Sequence, residues 1–322
     1  MATQTKFVGI IVKEYCAKYP NTSSTTLANM IIAEVPNFKE KDKENLRNSI
    51  RYYRGTHGNK RRGWKIFDNY IPKTHSQDFT PFFISQSKTL IISDLHLPYH
   101  NVEAIGLALD YGLKKNVNCV LINGDLIDFA DISRHEKDWR NRPTTEEIEY
   151  TRLFIEGLRE TFPTQRIVFK YGNHDERWDK YIHENADRIA DFAELELEYV
   201  LRCRELDIEV VKDKRPIKIG KLTVLHGHEL AGGSGGVNPA RATFLKTLDS
   251  VIVGHYHKTS QHTETTMNGD VISVESQGCL CGMNPLYMPI NKWNLGFSYV
   301  EMDVKTGEYH LHNKKIIKGK IY

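Results

Sequence analysis

The chain has 322 residues, of which 40% are hydrophobic and 26% are charged. These proportions are typical of a soluble globular protein, and the length suffices for one large domain and a small one. Because no run of about 18 apolar residues occurs, we expect no membrane-spanning segment and no membrane partner.

Cysteine usage and the first residues bear on the cellular compartment. The five cysteines are sparse and odd in number, and the start of the chain lacks the charged and then apolar plan of a secretory signal. We therefore expect a reducing, cytoplasmic setting.

The net charge of +3 is unevenly distributed along the chain. Residues 1–75 hold fourteen Lys and Arg against six Asp and Glu, a net charge of +8, so the remaining chain carries −5. Local basicity of this kind indicates a polyanionic partner for residues 1–75.

Residues 1–75 show three helical patterns. We expect one helix from Lys6 to Lys18, a second capped by Ser24 or Thr25, and a third running from a cap at Asp42 to Gly55. Three short helices before a turn-rich tail predict a small helix-turn-helix-like domain.

The third helix is the most informative of the three. Its apolar side chains form one stripe (Leu46, Ile50, Tyr53), and its arginines form another, predicted to face outward (Arg47, Arg51, Arg54). A glycine-punctuated basic loop with Lys60, Arg61 and Arg62 follows and has the character of a winged-helix hairpin.

Two interpretations of these cations are open. They form either a solvated face, paired in part with acidic groups, or a nucleic-acid interface with the arginines in a major groove and the wing along phosphates. The additional cations of the loop favour nucleic acid, DNA in particular.

Residues 76–87 have the character of a linker, and residues 88–322 alternate apolar runs with helical patterns. One helical pattern contains Val102, Ile105, Leu109 and Leu113. A second begins with a capping box at Thr144, before Ile148. An acidic helical region from Glu176 to Leu206, broken near Asp187, precedes short β segments. The order β-α-β-α-β and then mainly β predicts an α/β fold with two central sheets covered by helices.

Five apolar runs end in polar residues of the kind that bind metals. In chain order these are Asp94-x-His96, Gly124-Asp125-x-x-Asp128, Gly172-Asn173-His174-Asp175, His226-Gly227-His228 and Gly254-His255-x-His257. Since ligands collect at the carboxyl ends of strands in open sheets, the five motifs predict one site.

These five blocks, at this order and spacing, resemble the calcineurin-like metallophosphoesterases. The resemblance covers about Thr89 to Asp303 and implies that family's four-layer α-β-β-α sandwich. The overall plan, with its small basic domain, also resembles metallophosphoesterases encoded by phages, in which case the cytoplasm would be that of a host cell.

The resemblance further implies two divalent metal ions. One ion would be held by Asp94, His96 and His257, the other by Asn173, His226 and His255, and Asp125 would bridge them. Imidazole, carboxylate and amide ligands without thiolate suit Mn, our first choice, or Fe, Ni or Zn rather than Ca.

Catalytic roles are also implied by the resemblance. His174 matches the family's candidate general acid, and Asp128 matches a position that in some members orients that imidazole. Three further residues are weaker candidates for lining the substrate cleft, with surface pairing as the alternative: His228, Arg177 and Arg134. Cys279 and Cys281 would be half a zinc site without a second pair, and we interpret them as ordinary strand residues.

The function predicted from these features is metal-dependent phosphoester hydrolysis, most simply by a phosphodiesterase or nuclease acting on nucleic acid. One alternative keeps the enzyme but gives it small or cyclic nucleotides, or phosphoproteins, as substrates. Another is a DNA-binding protein that uses the phosphoesterase fold as a scaffold.

Overall fold

The computed structural model describes residues 2–20, 22–54, 79–134, 138–232 and 235–322. The chain divides into two compact units, residues 1–78 and 79–322. Within the described ranges, no helix combines the length and the apolar character needed to cross a membrane.

Three helices make up the described part of the first unit: α1 (Ala2–Lys18), α2 (Ser24–Glu34) and α3 (Lys43–Tyr53). They enclose a small core of Val12, Leu27, Ile31, Leu46 and Ile50. The cap of α2 is Ser23, whose Oγ accepts from Thr26 N at 3.1 Å, instead of the predicted Ser24 or Thr25. Asp42 is the N-cap residue of α3, as predicted, but its carboxylate accepts from Lys39 N at 2.9 Å and makes no cap hydrogen bond to α3.

The polar face of α3 differs from the prediction. Arg54 does not face outward, because its guanidinium donates to the carbonyl oxygens of Thr22 and, at 2.8 Å, of Tyr19. These carbonyls belong to the α1–α2 turn, where backbone acceptors lack helical partners and need another donor. Arg47 pairs with Glu44 at 2.6 Å, and Arg51 is half-buried. Tyr53, expected in the packed stripe, is 47% exposed.

The predicted wing, with Lys60, Arg61 and Arg62, lies outside the described residues.

The second unit contains two sheets. Its strands are β1 (Phe82–Ile84), β2 (Lys88–Ile92), β3 (Cys119–Asn123), β4 (Arg166–Lys170), β5 (Ile208–Val211), β6 (Ile217–Ile219), β7 (Leu222–Leu225), β8 (Val251–Val253), β9 (Ser260–Thr265), β10 (Val271–Ser276), β11 (Leu295–Met302), β12 (Tyr309–Ile317) and β13 (Lys320–Ile321). Its helices are α4 (Val102–Lys115), α5 (Thr144–Thr161), α6 (Glu176–Asn185), α7 (Leu197–Val200) and α8 (Pro239–Thr247).

The two sheets pack face to face. One has the order β1-β6-β7-β8-β10-β9 and the other β13-β12-β11-β2-β3-β4-β5. Alternate residues of one strand face different cores: Leu121 lies in a core shared by both sheets, whereas Val120 and Ile122 pack on the side of α4 and α5. With α8 against the outer face of the six-stranded sheet, the unit is a four-layer α-β-β-α sandwich, as predicted.

Several local features differ from the sequence-based expectations. Phe82–Ile84, expected within a linker, pairs in parallel with Ile217–Ile219 as an edge strand. Helix α4 buries Ala104, Ile105 and Ala108, while Val102 is 74% exposed and Leu113 45% exposed. No capping box forms at Thr144, because Pro143 is the N-cap residue of α5.

One carboxyl group inside α5 lacks a full set of partners. Glu147 is completely buried; its Oε1 accepts from Ala130 N at 3.3 Å, and its Oε2 has no partner among the described residues. Burial, reinforced by the nearby Asp128 carboxylate, raises the pKa of Glu147 to about 8. Burying an under-bonded acid favours its neutral form.

This environment predicts a pH-dependent gain in stability for Glu147→Gln. Below the pKa of the unfolded chain both side chains are neutral, so the variant and the original should be equally stable. As the pH rises toward 8 only the unfolded Glu147 ionises, so the original loses about 1–3 kcal/mol relative to the variant. Urea denaturation of the metal-free protein from pH 5 to 8.5 measures the difference. Glu149→Gln, an exposed position on the same helix, is the control, and a difference independent of pH would contradict the prediction.

Candidate metal centre

The predicted ligands follow strands of both sheets. In the seven-stranded sheet, Asp94 and His96 follow β2, Asp125 follows β3, and Asn173 follows β4. In the six-stranded sheet, His226 follows β7, and His255 and His257 follow β8. The carboxyl ends of these parallel strands meet at one edge, so side chains far apart in the sequence converge there.

Five of these residues have a left-handed backbone conformation: Asp94 (φ 56°), His96 (φ 51°), Asp125 (φ 51°), His255 (φ 64°) and His257 (φ 54°). Non-glycine residues adopt such values at a cost of about 1–3 kcal/mol each, and they cluster at functional sites. Hydrogen bonds between strand ends hold the geometry: Asp94 N donates to Gly124 O and His96 N to Asp125 O, both at 3.0 Å.

The first ligand group consists of Asp94, His96 and His257, whose ligand atoms all lie within 4.8 Å of one another. His257 Nε2 is 3.1 Å from Asp94 Oδ1 and 3.2 Å from His96 Nε2. All three residues are buried. Two imidazole nitrogens turned toward each other beside a carboxylate form a donor set that suits a divalent cation.

The second ligand group contains Asp125, His226 and His255. His226 Nε2 lies 3.2 Å from Asp125 Oδ2 and 3.3 Å from the amide oxygen of Asn173. The same Asp125 oxygen lies 3.7 Å from His96 Nε2, so it connects the two groups. The structure thus brings all seven predicted ligands into two adjoining groups with one shared carboxylate.

Buried charges of opposite sign shift the pKa values of these residues. Burial alone would lower the pKa of His226, but the Asp125 carboxylate outweighs it and raises the pKa to about 10. Burial likewise opposes ionisation of Asp94, yet His257 lowers the pKa of that carboxyl to about 2. Without a metal, therefore, protons on His226 and His257, whose pKa values are raised, balance the carboxylates, and a cation that binds here must displace them.

His174 and Asp128 lie beside the first ligand group. Asp128 Oδ1 is 2.7 Å from His96 Nδ1 and 3.1 Å from His174 Nδ1, and the two imidazole rings meet edge to face with centroids 4.4 Å apart. Burial lowers the pKa of His174, but the Asp125 and Asp128 carboxylates outweigh it and raise the pKa above the usual value.

The three weaker candidates occupy different environments. Arg177 Nη2 is 3.1 Å from His174 Nε2, and its Nη1 donates to Asp128 O at 2.8 Å, so Arg177 lies at the site. His228 Nε2 is paired with Glu176 Oε1 at 2.8 Å and is largely buried. The structure does not bring Arg134 into either ligand group; it is exposed and pairs with Glu184.

Asp175 is a residue for which the sequence suggested no role. Its two carboxylate oxygens accept backbone N–H donors from Gly172 at 2.7 Å, Asp125 at 2.8 Å, Leu126 at 3.1 Å and Ile127 at 3.3 Å. One buried carboxylate therefore fixes the turn that carries Asp125 against the turn that carries Asn173. Its position in the Asn-His-Asp block was the available signal.

Two other supports were also missed. The buried Lys170 and Glu229 pair at 2.9 Å, and Glu229 also accepts from His226 N at 2.9 Å. Cys281 Sγ lies 3.9 Å from His257 Nδ1, so Cys281 packs against a predicted ligand. The first contact holds the backbone of His226 in place, and the second helps to orient the imidazole of His257.

Comparisons with known proteins agree with this architecture. A family model described as calcineurin-like phosphoesterase matches residues 87–264, more than half of the chain. The chain belongs to the calcineurin-like phosphoesterases and is a metal-dependent phosphoester hydrolase.

Individual relatives share only low sequence identity with this chain. The Gene 54 proteins of Mycobacterium phages L5 and D29 are each 25% identical, over 185 and 182 residues, with 53% of this chain and 69% of each relative covered. Among solved structures, Vps29 of Entamoeba histolytica complexed with zinc is 16% identical, with a TM-score of 0.39 over 73% of this chain and 96% of that one. YfcE, a phosphoesterase from E. coli, is 14% identical, with a TM-score of 0.34 over 70% of this chain and 98% of that one.

The contacts of Asp175 predict that Asp175→Asn weakens metal binding. An amide nitrogen in place of one carboxylate oxygen meets backbone N–H donors instead of accepting from them, which displaces the turn carrying Asp125. We expect metal affinity to fall about 10- to 100-fold, the usual range for such supporting residues. Competition against a chromophoric chelator measures the affinity, with the exposed Asp187→Asn as control. Unchanged affinity in Asp175→Asn would refute the assigned role.

Proposed function

We propose that this chain is a dinuclear-metal phosphodiesterase, in particular a nuclease, that acts on nucleic acid. The observation that carries the proposal is the pair of largely buried ligand groups, contributed by both sheets and joined through Asp125. A carboxylate shared between two cations offsets their repulsion, and paired cations suit the in-line displacement of a phosphodiester.

In this proposal the residues divide between the two ions. Asp94, His96 and His257 would hold one, Asn173, His226 and His255 would hold the other, and Asp125 would serve both groups. When bound, the ions supply Lewis-acid stabilisation of the phosphoryl oxygens and lower the pKa of water. Manganese is our first choice, and Fe, Ni or Zn suits the same donors.

His174 is proposed as the general acid. Asp128 accepts from Nδ1 of His174, so Nε2 of the same ring points away from Asp128. Nε2 is therefore the nitrogen that would donate a proton to the leaving oxygen. The guanidinium of Arg177 contacts Nε2 of His174. A bound substrate would displace this guanidinium toward the phosphoryl oxygens. Arg177 is thus proposed to bind the phosphoryl group.

The choice of nucleic acid as substrate rests on the N-terminal unit. A net charge of +8 within residues 1–75 favours a polyanion, and Arg47 and Arg51 lie on one helix of a three-helix unit. Arg54, which holds the α1–α2 turn, contributes to this interface by keeping α3 in place. Lys60, Arg61 and Arg62 complete the proposed phosphate contacts.

A first experiment tests catalysis with bis(p-nitrophenyl) phosphate and added Mn. We expect turnover that Asp125→Ala abolishes together with metal binding, because both ligand groups lose their shared carboxylate. On an oligonucleotide, whose leaving alkoxide needs a proton, His174→Ala should lower kcat about 10²- to 10⁴-fold with metal content retained. The variant should slow bis(p-nitrophenyl) phosphate less, because p-nitrophenolate leaves without a proton. His183→Ala, at an exposed histidine of α6, is the control. No turnover with any divalent metal would leave the scaffold alternative standing.

A second experiment tests the nucleic-acid partner. The double variant Arg47→Ala, Arg51→Ala should weaken DNA retention and lower the slope of log K against log salt by about 1 per lost phosphate contact. Fluorescence anisotropy of a labelled DNA at several salt concentrations measures both. Lys114→Ala removes an exposed cation of α4 as the matched control. Unchanged affinity and slope in the double variant would exclude α3 as the interface.

A further inference from the structure

An apolar loop stands next to the metal centre. Residues 283–293, here called the aromatic loop, leave four large apolar side chains in water: Leu286 (44% exposed), Tyr287 (64%), Met288 (44%) and Ile290 (93%). Single exposed apolar residues are common, but a group of them beside a catalytic site indicates a binding surface.

The aromatic loop is directly connected to the first ligand group. The Trp293 ring meets the His257 ring edge to face with centroids 4.2 Å apart, and the Tyr287 ring follows at 6.3 Å from Trp293. A row of rings therefore leads from a predicted metal ligand out to solvent.

Hydrogen bonds fix the shape of the loop. The Asn291 amide donates to the carbonyl oxygens of Met283 at 2.7 Å and Met288 at 3.0 Å, and its Oδ1 accepts from Trp293 N at 3.0 Å. The two flanks are tied to ligand backbones, since Leu280 N donates to Asp94 O at 3.1 Å and Asn294 N to His257 O at 2.9 Å. The rings are thus held in a set position relative to the ligands before any substrate binds.

We propose that the aromatic loop is a base-binding subsite, in which Tyr287 and Trp293 receive an unpaired nucleobase of the strand being cleaved. This inference rests on the proposed function and adds the substrate class, a single-stranded nucleic acid. Every base has a π face, and stacking on an aromatic side chain needs no particular sequence. A paired base hides its faces within the duplex stack, so only an unpaired or extruded base can use the subsite.

The test compares two single-stranded oligonucleotides with the same phosphodiester backbone, one with bases and one abasic. Tyr287→Ala should lower kcat/KM for the base-bearing strand about 5- to 150-fold, the equivalent of one lost stacking contact, and leave the abasic strand unchanged. Tyr287→Phe keeps the ring and should stay close to the original. Tyr322→Ala, at an equally exposed tyrosine (62%) after the edge strand β13, is the matched control.

Two results would overturn the subsite: equal slowing of both strands by Tyr287→Ala, or no slowing of either. If the original protein cleaves neither strand with any divalent metal, the proposed function fails, and the subsite is then judged by binding alone. In chelator-treated protein, a base-bearing dinucleotide should quench tryptophan fluorescence more than its abasic analogue, and Tyr287→Ala should reduce the difference, because Trp293 remains as the second ring. Equal quenching by the two dinucleotides would overturn the proposal in that case as well.

Discussion

The geometry of the site depends on burying one carboxylate, Asp125, between histidines that come from two different sheets. Burial opposes ionisation of Asp125, but His226 and His174 hold its pKa well below the usual value. Space for this arrangement exists because two neighbours are glycines. A Cβ at Gly172 would overlap Asp125 Oδ1, and one at Gly124 would overlap the ring of His226. The charge pairing and the absent side chains together allow both sheets to approach one point.

A second buried carboxylate, that of Asp175, holds the converging turns in a fixed position. Asp175 contributes no atom to either ligand group, yet its four backbone hydrogen bonds join the turn after β3 to the turn after β4. Turns with left-handed residues are strained, and such strain persists only where surrounding contacts over-determine the backbone. The unusual φ values of Asp125 and its neighbours are therefore a consequence of this arrangement as well as a requirement of the site.

The sequence predicted the parts of the structure that follow from periodicity and chain order. Apolar runs ending in Asp, His or Asn identified the strands, and parallel strand order placed their ends together. Contacts between segments far apart in the chain could not be predicted from the sequence pattern. Arg54 was predicted to belong to an exposed stripe, because the helical period does not show that its guanidinium reaches the carbonyl oxygen of Tyr19, thirty-five positions earlier. A capping box was predicted at Thr144 for a similar reason, since only the packed structure shows that Pro143 is the N-cap residue of α5.

The metal ligands determine which reaction is catalysed, whereas residues around them determine which substrate is bound. A pair of cations stabilises phosphoryl oxygens whatever the oxygens are esterified to, so the ligand groups set the reaction and not the substrate. Selectivity has to come from groups that touch the rest of the molecule. In this chain the N-terminal unit offers charge, which acts over about 8–10 Å and weakens with salt, whereas the aromatic loop offers ring contact, which is short-range and little affected by salt. Under the proposed function the two contributions are therefore separable: salt would alter how readily a strand is captured, while stacking beside His257 would decide which strands are positioned for cleavage.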